Sequence, residues 1–169
     1  ILSGFALEFY DPEYNLYESR NKKESFNYSP QDLYNASISN VNGCALWAIA
    51  ALISAHPELE SKFKPIIISV SENSHDLVRI AIMQSVLVYY NIDSEFSVRI
   101  FKKIISEDSC IIGIPATWNI LSREYSYNSD FYRKKIITAC KSNFEELANE
   151  AAKQSCAIAI YFNDTQMQN

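Results

Sequence analysis

VNGCALWAIAALISA, at residues 41–55, is the stretch that decides the fold, and His56-Pro57-Glu58 follows it. Its apolar side chains recur every three or four residues, which is the spacing of one face of an α-helix. Proline suits the first turn of a helix and breaks its interior, so His56-Pro57 ends this helix and begins another. The second helix has an apolar stripe of its own, formed by Phe63, Ile66, Ile67 and Val70. The sequence therefore predicts a hairpin of two helices.

The hairpin returns along the chain with a period of 35 residues. Ser39, Ser74 and Ser109 lie at that spacing, and Ser94-Glu95-Phe96 returns as Ser129-Asp130-Phe131. A repeated helical unit of this length is typical of an α-solenoid, in which each hairpin stacks on the next. We therefore predict an all-α fold: an α-solenoid of three and a half helical hairpins over residues 39–163.

The later units follow the same plan. One helix is expected over residues 75–90, and the helix after it begins with Ser94 as its cap. The third unit starts at Ser109, and Pro115 in its first helix implies a kink in that helix. A capping box of Asn143 and Glu146 begins the last helix. Four residues of the second unit recur 70 positions later: Leu77, Ala81, Gln84 and Ser85 return as Leu147, Ala151, Gln154 and Ser155.

An α/β fold is the alternative. Residues 66–68, 86–90, 110–112 and 157–161 are rich in β-branched or aromatic side chains, as buried strands are. Each run continues a helical apolar stripe that begins upstream, however, and the chain has only three glycines for strand-to-helix turns. These two observations favour helices.

The ends of the chain differ from its middle. Residues 1–38 scatter aromatic side chains among acids and asparagines, which predicts an irregular lead-in that caps the first hairpin, with a short helix beginning at Pro30. Residues 164–169 are expected to be a frayed polar tail. Because the chain begins with Ile1, we expect it to be part of a larger protein.

Composition narrows the class of protein. The net charge of −5 disfavours nucleic-acid binding by the whole surface. The chain lacks a basic-then-apolar leader, and its longest apolar run is shorter than the ~20 residues of a membrane span, so a cytoplasmic protein without a membrane is expected. The four cysteines lack CxxC spacing and are expected to be reduced and buried.

Residues 38–163 resemble tandem HEAT or armadillo-type repeats. The stretch from Ile38 to Leu52 is similar to the opening of the C-terminal helical repeats of bacterial antiviral STAND NTPases and related defence proteins. Val41 and Gly43 match that pattern, whereas Asn42 stands where arginine is usual. The resemblance implies a sensor or scaffold arm, with nucleotide-binding and effector parts outside this chain.

Catalytic and metal chemistry finds little support in the sequence. His56 and His75 lie 19 residues apart without an acidic or cysteine partner at metal-ligand spacing. Trp47 and Trp118 sit among apolar neighbours and are expected in the core. We therefore predict a chain that is not an enzyme and that has no metal or cofactor.

Cations recur in the second helix of each hairpin. They would form a positive stripe along the stacked helices, able to meet an acidic protein or phosphates. The expected function is a protein-binding scaffold or sensor. A nucleic-acid groove, of the kind found in HEAT-type DNA repair glycosylases, is the alternative, with Asp76 and Asp93 as its only candidate acids. The predicted partner-binding residues are Lys64, Arg99, Lys102, Lys103, Arg133 and Lys134.

Overall fold

The computed structural model describes residues 29–72, 76–107 and 109–167, and every regular element in those ranges is helical. The all-α prediction is confirmed there, because residues 66–68 and 86–90 lie in helices and not in strands. The α-helices are α1 (Pro30–Ser39), α2 (Val41–Ala55), α3 (Glu60–Ser71), α4 (Asp76–Ala81), α5 (Met83–Tyr90), α6 (Ser94–Glu107), α7 (Pro115–Glu124), α8 (Ser129–Cys140) and α9 (Glu145–Tyr161). Short 3-10 helices lie at Pro57–Leu59, Ser109–Gly113, Tyr125–Tyr127 and Thr165–Met167.

The chain forms two compact units, Ile1–Ser85 and Val86–Asn169, which divide within α5. In the first unit, α4 packs against α1, α2 and α3. The burial of apolar side chains between these helices stabilises the unit, at roughly 25 cal/mol for each Å² removed from water. Its fully buried side chains include Leu46, Ile49, Ile53, Ile67, Val70, Val78 and Ile80.

Two caps and one glycine shape the beginning of the first unit. Ser29 Oγ accepts a hydrogen bond from the Asp32 amide at 2.9 Å, which confirms the short helix beginning at Pro30. Asn40 Oδ1 accepts from the Gly43 amide at 2.7 Å and so caps α2. A Cβ on Gly43 would lie 2.0 Å from the carbonyl oxygen of Ser37, so only glycine lets the two helices meet this closely.

The described helices were compared with the length and composition that a membrane-spanning helix needs. No single described helix is long and apolar enough to cross a bilayer, and α1 and α2 reach that length only together, with an 81° bend between them.

In the second unit, α9 packs on α8 and on the 3-10 helix Ser109–Gly113. The Gln154 side chain of α9 donates to the carbonyl of Ile112 in that 3-10 helix. The core of this unit includes the buried side chains of Phe101, Ile104, Ile120, Leu121, Tyr132, Ile136 and Ile158.

Several predicted boundaries are wrong in detail. The helix expected over residues 75–90 is interrupted at Ile82, with His75 outside the described residues. Pro115 does not kink a helix; it begins α7, after a separate 3-10 helix. Asp93, and not Ser94, caps α6, because its Oδ1 accepts from the Phe96 amide at 3.0 Å.

The structure describes part of each predicted end segment. Residues 30–38 are helical, whereas the rest of the predicted lead-in, up to residue 28, lies outside the described residues. Phe144 immediately precedes α9 without any side-chain cap, so the predicted capping box of Asn143 and Glu146 does not form. The tail forms the 3-10 helix Thr165–Met167 with Met167 buried, so the prediction of a frayed tail is wrong for these residues, whereas residues 168–169 lie outside the described part of the chain.

Candidate interaction surfaces

The predicted cations have different surroundings. In the first unit, Lys64 Nζ lies 2.8 Å from Glu60 Oε2. In the second unit, Arg99 is exposed and its guanidinium lies 5.4 Å from the centre of the Phe96 ring. Lys103 is half-buried, and Lys134 is exposed.

A cation–aromatic cluster joins α6 to α8. Lys102 Nζ of α6 lies 5.9 Å from the ring centres of both Phe131 and Tyr132, and Lys135 Nζ lies 5.8 Å from that of Phe131. Each contact contributes about 0.5–1 kcal/mol at an exposed site. The structure thus brings two lysines, Lys102 and Lys135, to one ring, although sequence reasoning had included only the first of them among the binding residues.

Arg133 faces two carboxylates and is the least available of the predicted binding residues. Its Nη2 lies 2.7 Å from Asp164 Oδ2 and its Nη1 lies 2.7 Å from Asp130 Oδ1. Tyr125 also donates to Asp164 Oδ2, at 2.7 Å. We call these four residues the Arg133 cluster.

Tyr125, Arg133 and Asp164 of the Arg133 cluster line a groove of about 420 Å³ at the beginning of α8. Hydrogen bonds from Arg133 and Tyr125 hold the pKa of Asp164 below its usual value. Burial and the hydrogen bond to Asp164 raise the pKa of Tyr125 to about 12. Each group therefore keeps one protonation state around neutral pH, which suits an anchor for the tail better than a proton relay. The groove is lined by Tyr125, Ser126, Ser129, Arg133, Phe162, Asn163, Asp164, Thr165 and Gln166.

A second polar pair lies between α5 and α7. Tyr90 donates to Glu124 Oε1 at 2.7 Å, and burial together with this hydrogen bond raises the pKa of Tyr90 to about 12. The guanidinium of Arg123 lies 5.3 Å from the centre of the Tyr90 ring. These contacts fix the end of α5 against α7.

The exposed side of α2 is apolar. Trp47 is 60% exposed, Val41 is 56% exposed and Leu52 is 37% exposed. Cys44 and Ala51 are exposed beside them. None of the fifteen residues of α2 is charged, and only two carry polar side chains, so the helix is largely apolar on its buried and exposed sides alike. We call these five residues the α2 surface.

The tryptophans were misplaced by sequence reasoning. Trp47 lies on the surface, and Trp118 is only half-buried, so the prediction of two core tryptophans is wrong. The signal was present in the sequence: α2 carries more apolar residues than one helix face can bury. Its opposite face is already filled by Ala45, Leu46, Ile49, Ala50 and Ile53.

The cysteines are also less buried than predicted. All four are free; Cys44 and Cys156 are exposed, whereas Cys110 and Cys140 are half-buried. Partial burial and the nearby Cys156 thiol raise the pKa of Cys140. No group of three or more His, Cys, Asp or Glu side chains in the described part of the chain could hold a metal ion.

No protein-family model, curated protein or solved structure matches this chain. Its function is therefore inferred from the surfaces above.

Proposed function

We propose that this chain is a non-catalytic protein-binding module, a segment of HEAT/armadillo-like α-solenoid within a larger bacterial protein, and that the α2 surface is its contact region. A role as the sensor or scaffold arm of a defence protein extends the same proposal. The observation that carries the proposal is the exposure of Trp47, whose side chain is 60% exposed on a helix that has no charged residue.

Contacts inside each unit support the repeat architecture. Ser85 Oγ in α5 lies 3.3 Å from the carbonyl oxygen of Leu46 in α2, 39 residues earlier. In the second unit, Gln154 in α9 donates to the carbonyl of Ile112, 42 residues earlier. Gln84, the counterpart of Gln154 in the 70-residue repeat, also donates to an earlier segment, to the hydroxyl of Tyr34 in α1. Ser155, the counterpart of Ser85, bonds instead to the later carbonyl of Met167, so only the glutamine contact recurs.

The energetics favour a protein partner for the α2 surface. When another apolar surface covers the exposed apolar area of a helix without charges, the free energy of the system falls. Tryptophan is among the residues that most often dominate binding energy at protein interfaces. Helices of a packed unit also lose little conformational entropy on binding. We therefore expect a partner whose contact face is apolar at its centre.

The nucleic-acid groove is the competing proposal, and it rests on Arg99, Lys102, Lys103 and Lys134. The other two predicted cations are paired with acids, Lys64 with Glu60 and Arg133 with two aspartates, which weakens their attraction for phosphates. Of the two candidate acids, Asp93 caps α6 through the Phe96 amide. The electrostatics thus favour protein over nucleic acid.

Site-specific photocrosslinking tests the proposal. A benzophenone amino acid replaces Trp47 in one variant and Tyr127, which is 84% exposed in the other unit, in a control variant. A partner that crosslinks at position 47 and not at 127 is then purified. Its affinity for the chain should fall at least tenfold in Trp47→Glu and remain unchanged in Tyr127→Glu. Equal binding by both variants would overturn the proposal.

A second experiment separates the two classes of partner. Fluorescence anisotropy with single- and double-stranded DNA at 50 and 200 mM salt should show no binding tighter than about 10 μM, the range of non-specific contacts. Tighter binding that falls steeply with salt, and that is lost in the triple variant Arg99→Glu, Lys102→Glu, Lys134→Glu, would favour the groove. Arg133 is left unchanged in this variant because its reversal would break the anchor of the tail.

A further inference from the structure

Two lysines from different helices meet at the ring of Phe131, which is half-buried. Lys102 Nζ of α6 lies 5.9 Å from the centre of this ring, and Lys135 Nζ of α8 lies 5.8 Å from it. The two ammonium groups are therefore at most about 12 Å apart, twice their distance from the ring centre. One small ligand with two negative charges can reach both of them.

Both lysine side chains are held in place by the fold. Lys102 Nζ also lies 5.9 Å from the ring centre of Tyr132, whose side chain is fully buried. Lys135 Nζ lies 3.4 Å from the carbonyl oxygen of Ser106, in the last turn of α6. An anion that binds these two lysines removes less conformational freedom than it would from lysines surrounded by water.

Positive charge predominates around the ring. Lys134 is exposed and lies three residues after Phe131, on the same side of α8. Asp130, the only acidic residue of α8, already pairs with Arg133 at 2.7 Å. In the ranges that the structure describes, no carboxylate forms an ion pair with the three lysines. We define the α6–α8 lysine surface as Lys102, Phe131, Lys134 and Lys135.

We propose that the α6–α8 lysine surface binds a short acidic segment of a partner polypeptide. Side chains two residues apart on an extended segment point to the same side and are about 7 Å apart, so two glutamates at that spacing reach both Lys102 and Lys135. Hydrogen bonds between ammonium and carboxylate groups are charge-assisted and are stronger than neutral ones. This surface lies in the other unit from the α2 surface, and the proposal does not depend on the proposed function.

The same surface suits a nucleic acid less well. Binding of single strands uses aromatic rings on which bases stack, and a base on Phe131 would compete with the two lysines for that ring. The net charge of −5 also repels a long polyanion more than a segment with a few carboxylates.

A peptide of four Glu-Ser repeats, with blocked ends and a rhodamine label, is the probe. It is titrated with the full chain at 50 mM salt and followed by anisotropy, and a peptide of four Gln-Ser repeats is the uncharged control. We expect saturable binding of the acidic peptide only. Binding should weaken at least fivefold in the double variant Lys102→Gln, Lys135→Gln and stay within twofold in Lys141→Gln, Lys153→Gln, which has the same net charge and changes exposed lysines elsewhere in the unit.

Lysine acetylation supplies a readout on the unmodified chain. The acidic peptide should slow acetylation of Lys102 and Lys135 at least threefold and leave that of Lys141 unchanged, as measured by mass spectrometry. Trp47→Ala should not alter peptide binding, so this proposal and that of the α2 surface fail separately.

A thymidine pentanucleotide, which has the same four negative charges as the peptide, tests the nucleic-acid alternative. It should bind more weakly than the peptide. Tighter binding of the pentanucleotide, the absence of saturable peptide binding, or equal weakening in the two double variants would overturn the proposal.

Discussion

Arg133 Nη2 lies 2.7 Å from Asp164 Oδ2, and this ion pair ties the tail after α9 to α8. The side chain of Asp164 is only 10% exposed, whereas that of Asp130, the other partner of Arg133, is 92% exposed. Water screens an exposed pair far more than one shielded from solvent, so the two carboxylates contribute unequally although both lie at 2.7 Å.

The first prediction compares these two carboxylates. Asp164→Asn should lower the free energy of unfolding by about 2 kcal/mol, because it removes a charge-assisted network that is shielded from water. Asp130→Asn is the matched control and should change it by less than about 0.5 kcal/mol. Urea unfolding followed by circular dichroism measures both. Equal effects of the two substitutions would show that Asp164 is not an anchor.

The same pair predicts how acid affects stability. Asp164 has a lower pKa in the folded state than in the unfolded chain. Its contribution is therefore present above the usual aspartate pKa of about 4 and is lost as the pH falls through the folded value. Unfolding curves between pH 6 and pH 2 should show a shallower loss in Asp164→Asn than in the wild type.

A second prediction concerns Gly43. Gly43→Ala should destabilise the first unit by about 3 kcal/mol, because the new methyl group meets the backbone of Ser37 and Ile38, which cannot move aside as a flexible side chain would. Ser54→Ala, on the exposed side of α2, serves as the control and should stay within about 0.5 kcal/mol. Wild-type stability of Gly43→Ala would mean that α1 and α2 do not meet as described.

A third prediction tests the exposure of Trp47. In a Trp118→Phe variant, the fluorescence of Trp47 should have a red-shifted emission and be readily quenched by acrylamide. In the reciprocal variant Trp47→Phe, the remaining tryptophan is half-buried Trp118. Its fluorescence should have a shorter emission wavelength and be quenched less by acrylamide. A blue-shifted, protected Trp47 would mean that its ring is covered and would remove the main support for the α2 surface.

A fourth prediction concerns alkaline pH. Tyr90 and Tyr125 have pKa values raised to about 12, against about 10 for an unperturbed tyrosine. Their contribution to stability is present below pH 10 and is lost as the pH rises through 12, because the unfolded chain releases these protons first. Ultraviolet titration of the phenolates should show late-titrating tyrosines, one fewer in each of Tyr90→Phe and Tyr125→Phe. Titration of all tyrosines near pH 10 would contradict the described hydrogen bonds.

Local features of the sequence determined the helices of this protein. Apolar spacing over residues 41–55 forms α2, Pro57 separates it from α3, and Ser29 with Pro30 begins α1, because each depends on residues only a few positions apart. Even so, the cap of α6 fell one residue earlier than expected. Both Asp93 and Ser94 are good capping residues, and the backbone around them decides between the two.

Only the tertiary structure decided which surfaces stay open. The sequence shows that α2 is apolar, but not that one side of it, with Trp47, remains uncovered, since this depends on where α1 and α4 pack. The pairing of Arg133 with Asp164 is likewise invisible in a sequence that separates them by 31 positions. Helix formation follows from local periodicity, whereas burial and ion pairing depend on contacts between distant segments, which exist only once the chain has folded.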